Sequence, residues 1–384
     1  MAMSFSENAV IRVIGLGGGG NNAVNRMIET GLKGVEFVAA NTDAQVLATS
    51  LADVRIQMGD HLTKGLGAGA NPEIGEKAAL EDRDRVAEAL RGCDLVFITA
   101  GMGGGTGTGS APIVAEVARE LGALAIAVVT TPFKFEGPSR MRKAEEGLRR
   151  LEDKVDALIV VENQRLMSAL DRKVRLNDAF RVADRVLYHG VRGISDVINV
   201  PGMINVDFAD VKTVMGDKGK AMMGIGEASG LDRARLAAEQ AVASPLLDGV
   251  DLNGARGVIV NITASRSLKL RETNEVINTI KAFCAEDATI IHGTVFDEDM
   301  DDSLRVTVVA TGIGPRPAVK PVLVQRTGTD DAHGAIGTAG GYDQYDQPAV
   351  WRSPRGNAAD HVRALEDSGV ERFDIPAFLR KQAD

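Results

Sequence analysis

The chain has 384 residues, 44% of them apolar and 25% charged, with a net charge of −9 and two cysteines. This composition fits a globular protein long enough for two cores and argues against a nucleic-acid binder, which would carry a basic face. Cys93 and Cys284 show no paired spacing, no apolar run reaches the length of a membrane span, and "MAMSFSENAV" lacks a leader's charged-then-apolar order, so a cytoplasmic location is expected.

Over residues 11–163, short β-branched runs alternate with amphipathic stretches. "AVIRVIG", "VEFVAAN", "VRIQM", "DLVFITA", "LAIAVVTT" and "ALIVVEN" are nearly continuous in hydrophobicity, as strands covered on both faces are. Between them, "PEIGEKAALEDRDRVAEALRG" and "SAPIVAEVARELG" carry helical patterns. Together these predict a doubly wound α/β domain on a parallel sheet. A long helical pattern over 177–199, stopped by Pro201-Gly202, has the length of a spacer. Two further helices, "LDRARLAAEQAVA" and "LKLRETNEVINTIKAF", alternate with the strands "KAMMGIGEA", "GVIVNITAS", "TIIHGTVF" and "LRVTVVATG", predicting a second, smaller α+β domain. Near Pro315 the composition turns to Pro, Gly, Asp and Arg without a period, as linkers do. The expected organisation is a flexible N-terminus (1–10), a nucleotide-binding domain (11–176), a central helix (177–201), an α+β domain (202–314), a disordered linker (315–370) and a tail peptide (371–384).

Two glycine-rich segments carry the chemistry. "IRVIGLGGGGNNAV" places a formal G-x-G-x-x-G, Gly15 to Gly20, after a strand and before a helix. Alone it reads as a tight turn or as a phosphate loop, with dinucleotide binding its first meaning. "GMGGGTGTGSAP" follows "DLVFITA" directly. Such a segment neither packs a core nor holds a helix well, and between a strand and a helix it serves close approach to an anion. It lacks the lysine of a P-loop. With loops at 17–22 and 103–108 in one domain, two helix N-termini can converge on one polyphosphate chain. Backbone N–H groups, the Thr106 and Thr108 hydroxyls and a bound Mg²⁺ would then stand in for that lysine. A nucleoside triphosphate held mainly by main chain is the expected ligand.

In "INVDFADVKTVM", Asp207 and Asp210 are three apart and share a helix side. From spacing alone, Asp207 reads as a helix cap with Asp210 at N3. "FDIPAFLRKQAD" reads either as a frayed terminus or as a docking peptide, with Ile375, Phe378 and Leu379 on one helical face and Pro376 early in it. The five histidines have no ligand spacing, so no protein-only metal site is expected.

Taken together, "GGGTGTG", "NVDFADV" and the terminal "DIPAFLRKQAD" resemble the FtsZ family of bacterial, tubulin-like cell-division GTPases, in its proteobacterial form. The similarity runs from Val10 to about Gly312 and returns in the last dozen residues. It implies a protein that assembles head to tail into filaments of the division ring at mid-cell. It implies that Gly18, Gly19, Gly20, Asn21 and Asn22 hold the phosphates of GTP or GDP, with Gly101, Gly103, Gly104, Gly105, Thr106, Gly107 and Thr108. "GAGANPE", with Ala68, Gly69 and Ala70, is similar to the loop that senses the γ-phosphate. Glu136 and Arg140 match sugar and phosphate contacts, Asn163 a sugar or base contact, and Phe180 and Asp184 the base face. A carboxylate at Asp184 can accept both N–H groups of the guanine edge, whereas adenine presents an acceptor at N1.

The resemblance also replaces the capping reading. It implies that Asp207 and Asp210, supported by Asn205, enter the nucleotide site of the next subunit and polarise the attacking water. Asp374, Ile375, Pro376, Phe378 and Leu379 are implied to bind membrane tethers of the FtsA or ZipA type and other division regulators, without membrane insertion by the chain itself. Two rivals remain distinct. A dinucleotide-dependent oxidoreductase leaves the second glycine loop unexplained. A non-hydrolysing nucleotide-gated scaffold leaves Asp207 and Asp210 as caps.

Overall fold

The computed structural model describes residues 9–167, 174–200, 206–216, 219–247 and 254–313. Asn205, the linker over 315–370 and the tail residues Asp374, Ile375, Pro376, Phe378 and Leu379 lie outside the described residues.

The first part of the chain runs β1 (Ile11–Leu16), α1 (Gly17–Glu29), β2 (Glu36–Asn41), α2 (Ala44–Ala48), β3 (Val54–Gln57), α3 (Asp60–Thr63), α4 (Pro72–Glu81) and α5 (Arg83–Leu90). It continues through β4 (Leu95–Gly101), α6 (Thr106–Glu120), β5 (Leu124–Thr131), α7 (Pro138–Glu152), β6 (Ala157–Glu162) and α8 (Asn163–Leu166). The rest is α9 (Leu176–Asn199), α10 (Phe208–Met215), β7 (Gly219–Ser229), α11 (Arg233–Val242), β8 (Gly257–Ala264), α12 (Leu270–Lys281), β9 (Thr289–Phe296) and β10 (Ser303–Thr311).

All ten strands form one sheet in the order β3-β2-β1-β4-β5-β6-β7-β10-β8-β9. The first six are parallel, and their order reverses between β1 and β4. Ligands of such sheets sit in the crevice beyond the carboxyl ends at that reversal. Strand β7 extends the sheet by a short parallel pairing with β6, and β10 then pairs antiparallel with both β7 and β8.

Each strand read from the sequence is present, and two helical readings change. The pattern over 72–92 is two helices that meet at Asp82, whose φ of −104° and ψ of 23° leave the helix. Its carboxylate accepts from the Gly59 N–H at 2.7 Å and from Arg85 at 2.8 Å, which holds the break. Helix α6 starts at Thr106, four residues before Ser110, so the Gly/Thr loop itself supplies the first turn. Helix α7 was not marked in the sequence and buries only a narrow stripe of Ala144, Gly147 and Leu151.

The central helix α9 is roughly 36 Å long at 1.5 Å per residue. Its Leu187, Val191 and Ile194 share one core with Phe97, Ile126 and Val128 of β4 and β5 and with Met223, Ile259 and Val309 of β7, β8 and β10. Apolar burial on this scale, near 25 cal/mol per Å², fixes the helix against both halves of the sheet. The other face of the N-terminal strands is closed by α6 and α7 through Ala111, Val114, Ala118 and Leu151. Helices α11 and α12 cover the C-terminal strands with Ala237, Ala241, Val276 and Ile280.

Candidate functional site

Strands β1 and β4 are hydrogen-bonded neighbours, so α1 and α6 leave the sheet side by side at the reversal. Neither helix has a side-chain cap or an acidic residue in its first turn. Elsewhere in the domain, Asp43 caps α2 and Asn71 caps α4. The first-turn N–H groups of α1 and α6, with their positive dipole ends, are therefore open to an anion. Glycine is required behind them. A Cβ at Gly20 would lie 2.4 Å from the Thr99 carbonyl, and one at Gly15 would lie 2.5 Å from the Gly20 carbonyl. The Gly103 N–H donates to Thr108 Oγ1 at 2.8 Å, and the Thr42 and Thr106 hydroxyls share a 2.6 Å hydrogen bond.

Over these turns lies a cleft of about 400 Å³. Its walls are Gly17, Gly18 and Gly19, then Gly67, Ala68, Gly69 and Ala70, then Gly101, Gly104, Gly105, Thr106 and Gly107, with Asn41, Asp43 and Arg140. A second cavity of about 270 Å³ is lined by Asn22, Glu136, Asn163, Phe180 and Asp184. Gly19, Gly101 and Arg140 line both, so the two adjoin. The first is a main-chain surface suited to phosphates. The second carries an aromatic ring and a carboxylate, suited to a base.

Two walls of the second cavity are held from behind. Phe180 meets the buried Phe133 edge to face at 5.2 Å, and Phe133 stacks on Phe135 at 5.1 Å. Glu136 accepts from the Phe133 N–H at 2.9 Å and from Arg140 at 2.7 Å. Both its oxygens are engaged, so Glu136 aims Arg140 at the junction of the cavities. Burial pushes the Asp184 carboxyl up from 3.8 to about 6, with Arg26 pulling in the other direction. Two buried amides offer polar atoms to a ligand. Asn163 Oδ1 and Asn41 Nδ2 have no hydrogen-bond partner among the described residues, and each residue lines one of the cavities.

The structure thus brings together most of the residues singled out in the sequence. Gly20, Asn21, Gly103 and Thr108 line neither cavity and build the loops from behind. Asn21 is 1% exposed, and with its side-chain amide O and N interchanged, the orientation its surroundings favour, the nitrogen donates to the Gly15 and Gly17 carbonyls at 3.0 Å. Asp207 and Asp210 are exposed and line neither cavity. Their helix α10 packs on β8 and β9, and β8 is five strand positions from β4 in the sheet order, about 24 Å at the usual spacing. Asp207 does occupy the N-cap position of α10, yet its side chain makes no capping hydrogen bond. The capping reading fails at that point. Asn41, which lines the first cavity, and Phe133, which backs Phe180, were missed. Asn41 ends β2, beside the β1 loop, and a polar residue closing an apolar run there was the available signal.

A dinucleotide fold uses one such loop for its pyrophosphate. Two loops converging from neighbouring strands, with the base pocket on a long helix that also carries a second sheet half, are the plan of a tubulin-like GTPase. Residues 10–171 match the Tubulin/FtsZ family, GTPase domain, and residues 219–314 match the FtsZ family, C-terminal domain. The cell division protein FtsZ of Pseudomonas aeruginosa is 54% identical, covering 99% of this chain and 98% of its own length. That of Coxiella burnetii is 52% identical over 98% of this chain and 97% of its own. Among solved structures, an empty FtsZ dimer from M. jannaschii has a TM-score of 0.76 at 47% identity, covering 79% of this chain and 88% of that one. CetZ2 from Haloferax volcanii, with a TM-score of 0.66 at 19% identity over 79% of this chain and 93% of its own, shares the fold. The chain belongs to the FtsZ family and is a tubulin-like GTPase of cell division.

Proposed function

We propose that the chain polymerises head to tail into filaments of the division ring at mid-cell, with GTP held by one subunit and hydrolysed with the carboxylates of the next. The observation that carries this reading is the separation of Asp207 and Asp210 from the phosphate cleft, together with their exposure and the absence of a capping bond at Asp207. Two halves of a site on opposite regions of one chain are completed by a second copy. Such a contact is heterologous and repeats into an open polymer. In this arrangement the main chain of both loops and Arg140 hold the phosphates, Phe180 and Asp184 the base, and Asn163 the sugar or base. Asp207 and Asp210, with Asn205, orient the attacking water.

Mg²⁺ fits the cleft in its usual nucleotide mode, bound chiefly through phosphates and water. The cleft offers the Asp43 carboxylate and the Thr106 hydroxyl, which the buried Thr42 hydroxyl holds from behind, and no three-residue His, Cys, Asp or Glu group among the described residues forms a cage. When bound, the ion would offset phosphate charge. Specific GTPase activity should therefore rise steeply with protein concentration and fall nearly to zero on dilution. Constant activity per molecule across the assembly threshold, followed by phosphate release, would place the whole site in one chain.

The tail is proposed to join the filament to tethers of the FtsA or ZipA type. No helix among the described residues is long and apolar enough to cross a membrane. Removing residues 373–384 should abolish tether binding in a pull-down while leaving GTP turnover within about twofold, because linkers isolate what they join. A truncated protein that no longer assembles would refute that modular role.

A further inference from the structure

We infer that Lys143 is a positioning residue for the terminal phosphate, clamping the loop at Ala70 from the neighbouring helix α7. The inference rests on the GTP reading above and names a residue that reading does not use.

Ala70 adopts φ +57°, a left-handed conformation that side-chain-bearing residues avoid and that persists only where the surroundings impose it. Gly67 and Gly69 beside it are also left-handed, at φ +87° and +58°, and both Gly69 and Ala70 are exposed. Unlike the buried Ala68, Gly69 and Ala70 therefore have little packing of their own to fix them. Lys143 Nζ donates to the Ala70 carbonyl at 2.6 Å, a short, charge-assisted bond.

Helix α7 is built to deliver that bond. Lys143, Gly147 and Arg150 fall at i, i+4 and i+7 on one helical face. A Cβ at Gly147 would lie 2.4 Å from Thr108 Cγ2, so glycine there lets α7 close on α6. Arg150 pairs with Glu76 on α4, the helix that follows the loop. The loop and α4 are thus tied to α7 at two points, and Arg140 on the same helix enters the cleft itself.

Position decides what the clamp acts on. Ala68, Gly69 and Ala70 line the phosphate cavity and not the base cavity, as Gly18 and Gly104 also do, and the loop over 68–70 is assigned the end of the ligand farthest from the base. A triphosphate fills that end and a diphosphate leaves it empty. Lys143 therefore preorganises backbone that only GTP meets, and it places a cation near the third phosphate.

The test compares Lys143→Met and Lys143→Arg in the full chain, with GTP and GDP competing against a fluorescent guanine nucleotide below the assembly threshold. Lys143→Met should bind GTP about fivefold to tenfold more weakly, as expected for one charged hydrogen bond, with GDP affinity and melting temperature nearly unchanged. Lys143→Arg should keep the parent ratio of GTP to GDP affinity, because a guanidinium can donate to the same carbonyl. Equal losses for both nucleotides, or no loss for either, would overturn the inference. If the parent itself shows no preference for guanine nucleotides, the GTP reading falls and takes this one with it. A parent that binds GTP beside a Lys143→Met variant of unchanged ratio removes the role of Lys143 alone.

Discussion

Asp184→Asn should raise the melting temperature of the nucleotide-free protein at neutral pH while weakening GTP by about ten- to a hundredfold. The two effects have one origin. Burial raises the Asp184 pKa from 3.8 to about 6, so at neutral pH the empty protein carries a charged carboxylate in an unfavourable setting. A folded-state pKa above the unfolded value contributes stability that is fully present below about 3.8 and is lost as pH rises through about 6. The neutral amide escapes that loss. Guanine makes the charge useful, because its N1–H and N2–H₂ both donate to the carboxylate. Losing a charge-assisted pair costs about 1.5–3 kcal/mol, which sets the expected factor. Protons should compete in the same way, with parent GTP affinity falling as pH drops below about 6 while the variant's stays flat. Xanthine triphosphate offers a carbonyl where guanine has an amino group, so the Asn variant should gain affinity for it. Calorimetry with GTP and xanthine triphosphate decides the matter, and unchanged GTP affinity in the variant would remove Asp184 from the base pocket.

The fold was legible wherever burial on two faces left a continuous apolar run. Strands such as "DLVFITA" and the helix over 177–199 declare themselves because nearly every inward position is apolar. Helix α7 did not, since its buried stripe is Ala144, Gly147 and Leu151 within a mostly charged sequence. A packing face made of small residues has almost no periodic signal. The phosphate half of the site was legible for the opposite reason. Glycine placed where it weakens secondary structure needs an explanation, and the close contacts behind Gly15 and Gly20 supply one. The base half required long-range convergence. Phe180 on α9 meets Phe133, just after β5, and shares a cavity with Asn163, just after β6, a convergence that no local pattern encodes. Nor could spacing show how far Asp207 and Asp210 lie from the phosphates. That distance follows from β10, the last strand among the described residues, inserting between β7 and β8 and moving β8 and β9 to the sheet edge.

Mixing two inactive variants should restore GTP hydrolysis if the site is shared between subunits. The first variant must block the phosphate cleft without disturbing the fold, and the glycines differ in this respect. A Cβ at Gly105 would lie 2.8 Å from Ala68 Cβ and 2.9 Å from the Asn71 nitrogen, so a side chain there displaces backbone. At Gly104 a Cβ meets nothing within 4 Å, although the residue lines the cleft. Gly104→Leu should therefore fill the phosphate site and leave the rest intact. The second variant, Asp210→Ala, removes an exposed carboxylate from α10 and leaves the cleft untouched. Either variant alone lacks a complete site at every contact, and loss of a group that positions the attacking water typically costs about 10²–10⁴-fold. In an equal mixture an intact cleft should meet an intact Asp210 at about a quarter of head-to-tail contacts, if assembly is random. Phosphate release should recover to roughly that fraction of the parent rate, and only at concentrations where sedimentation shows both variants in the polymer. A coassembled mixture as inactive as its parts would mean that the cleft and Asp207 and Asp210 do not cooperate across a contact, and the head-to-tail mechanism would have to be abandoned.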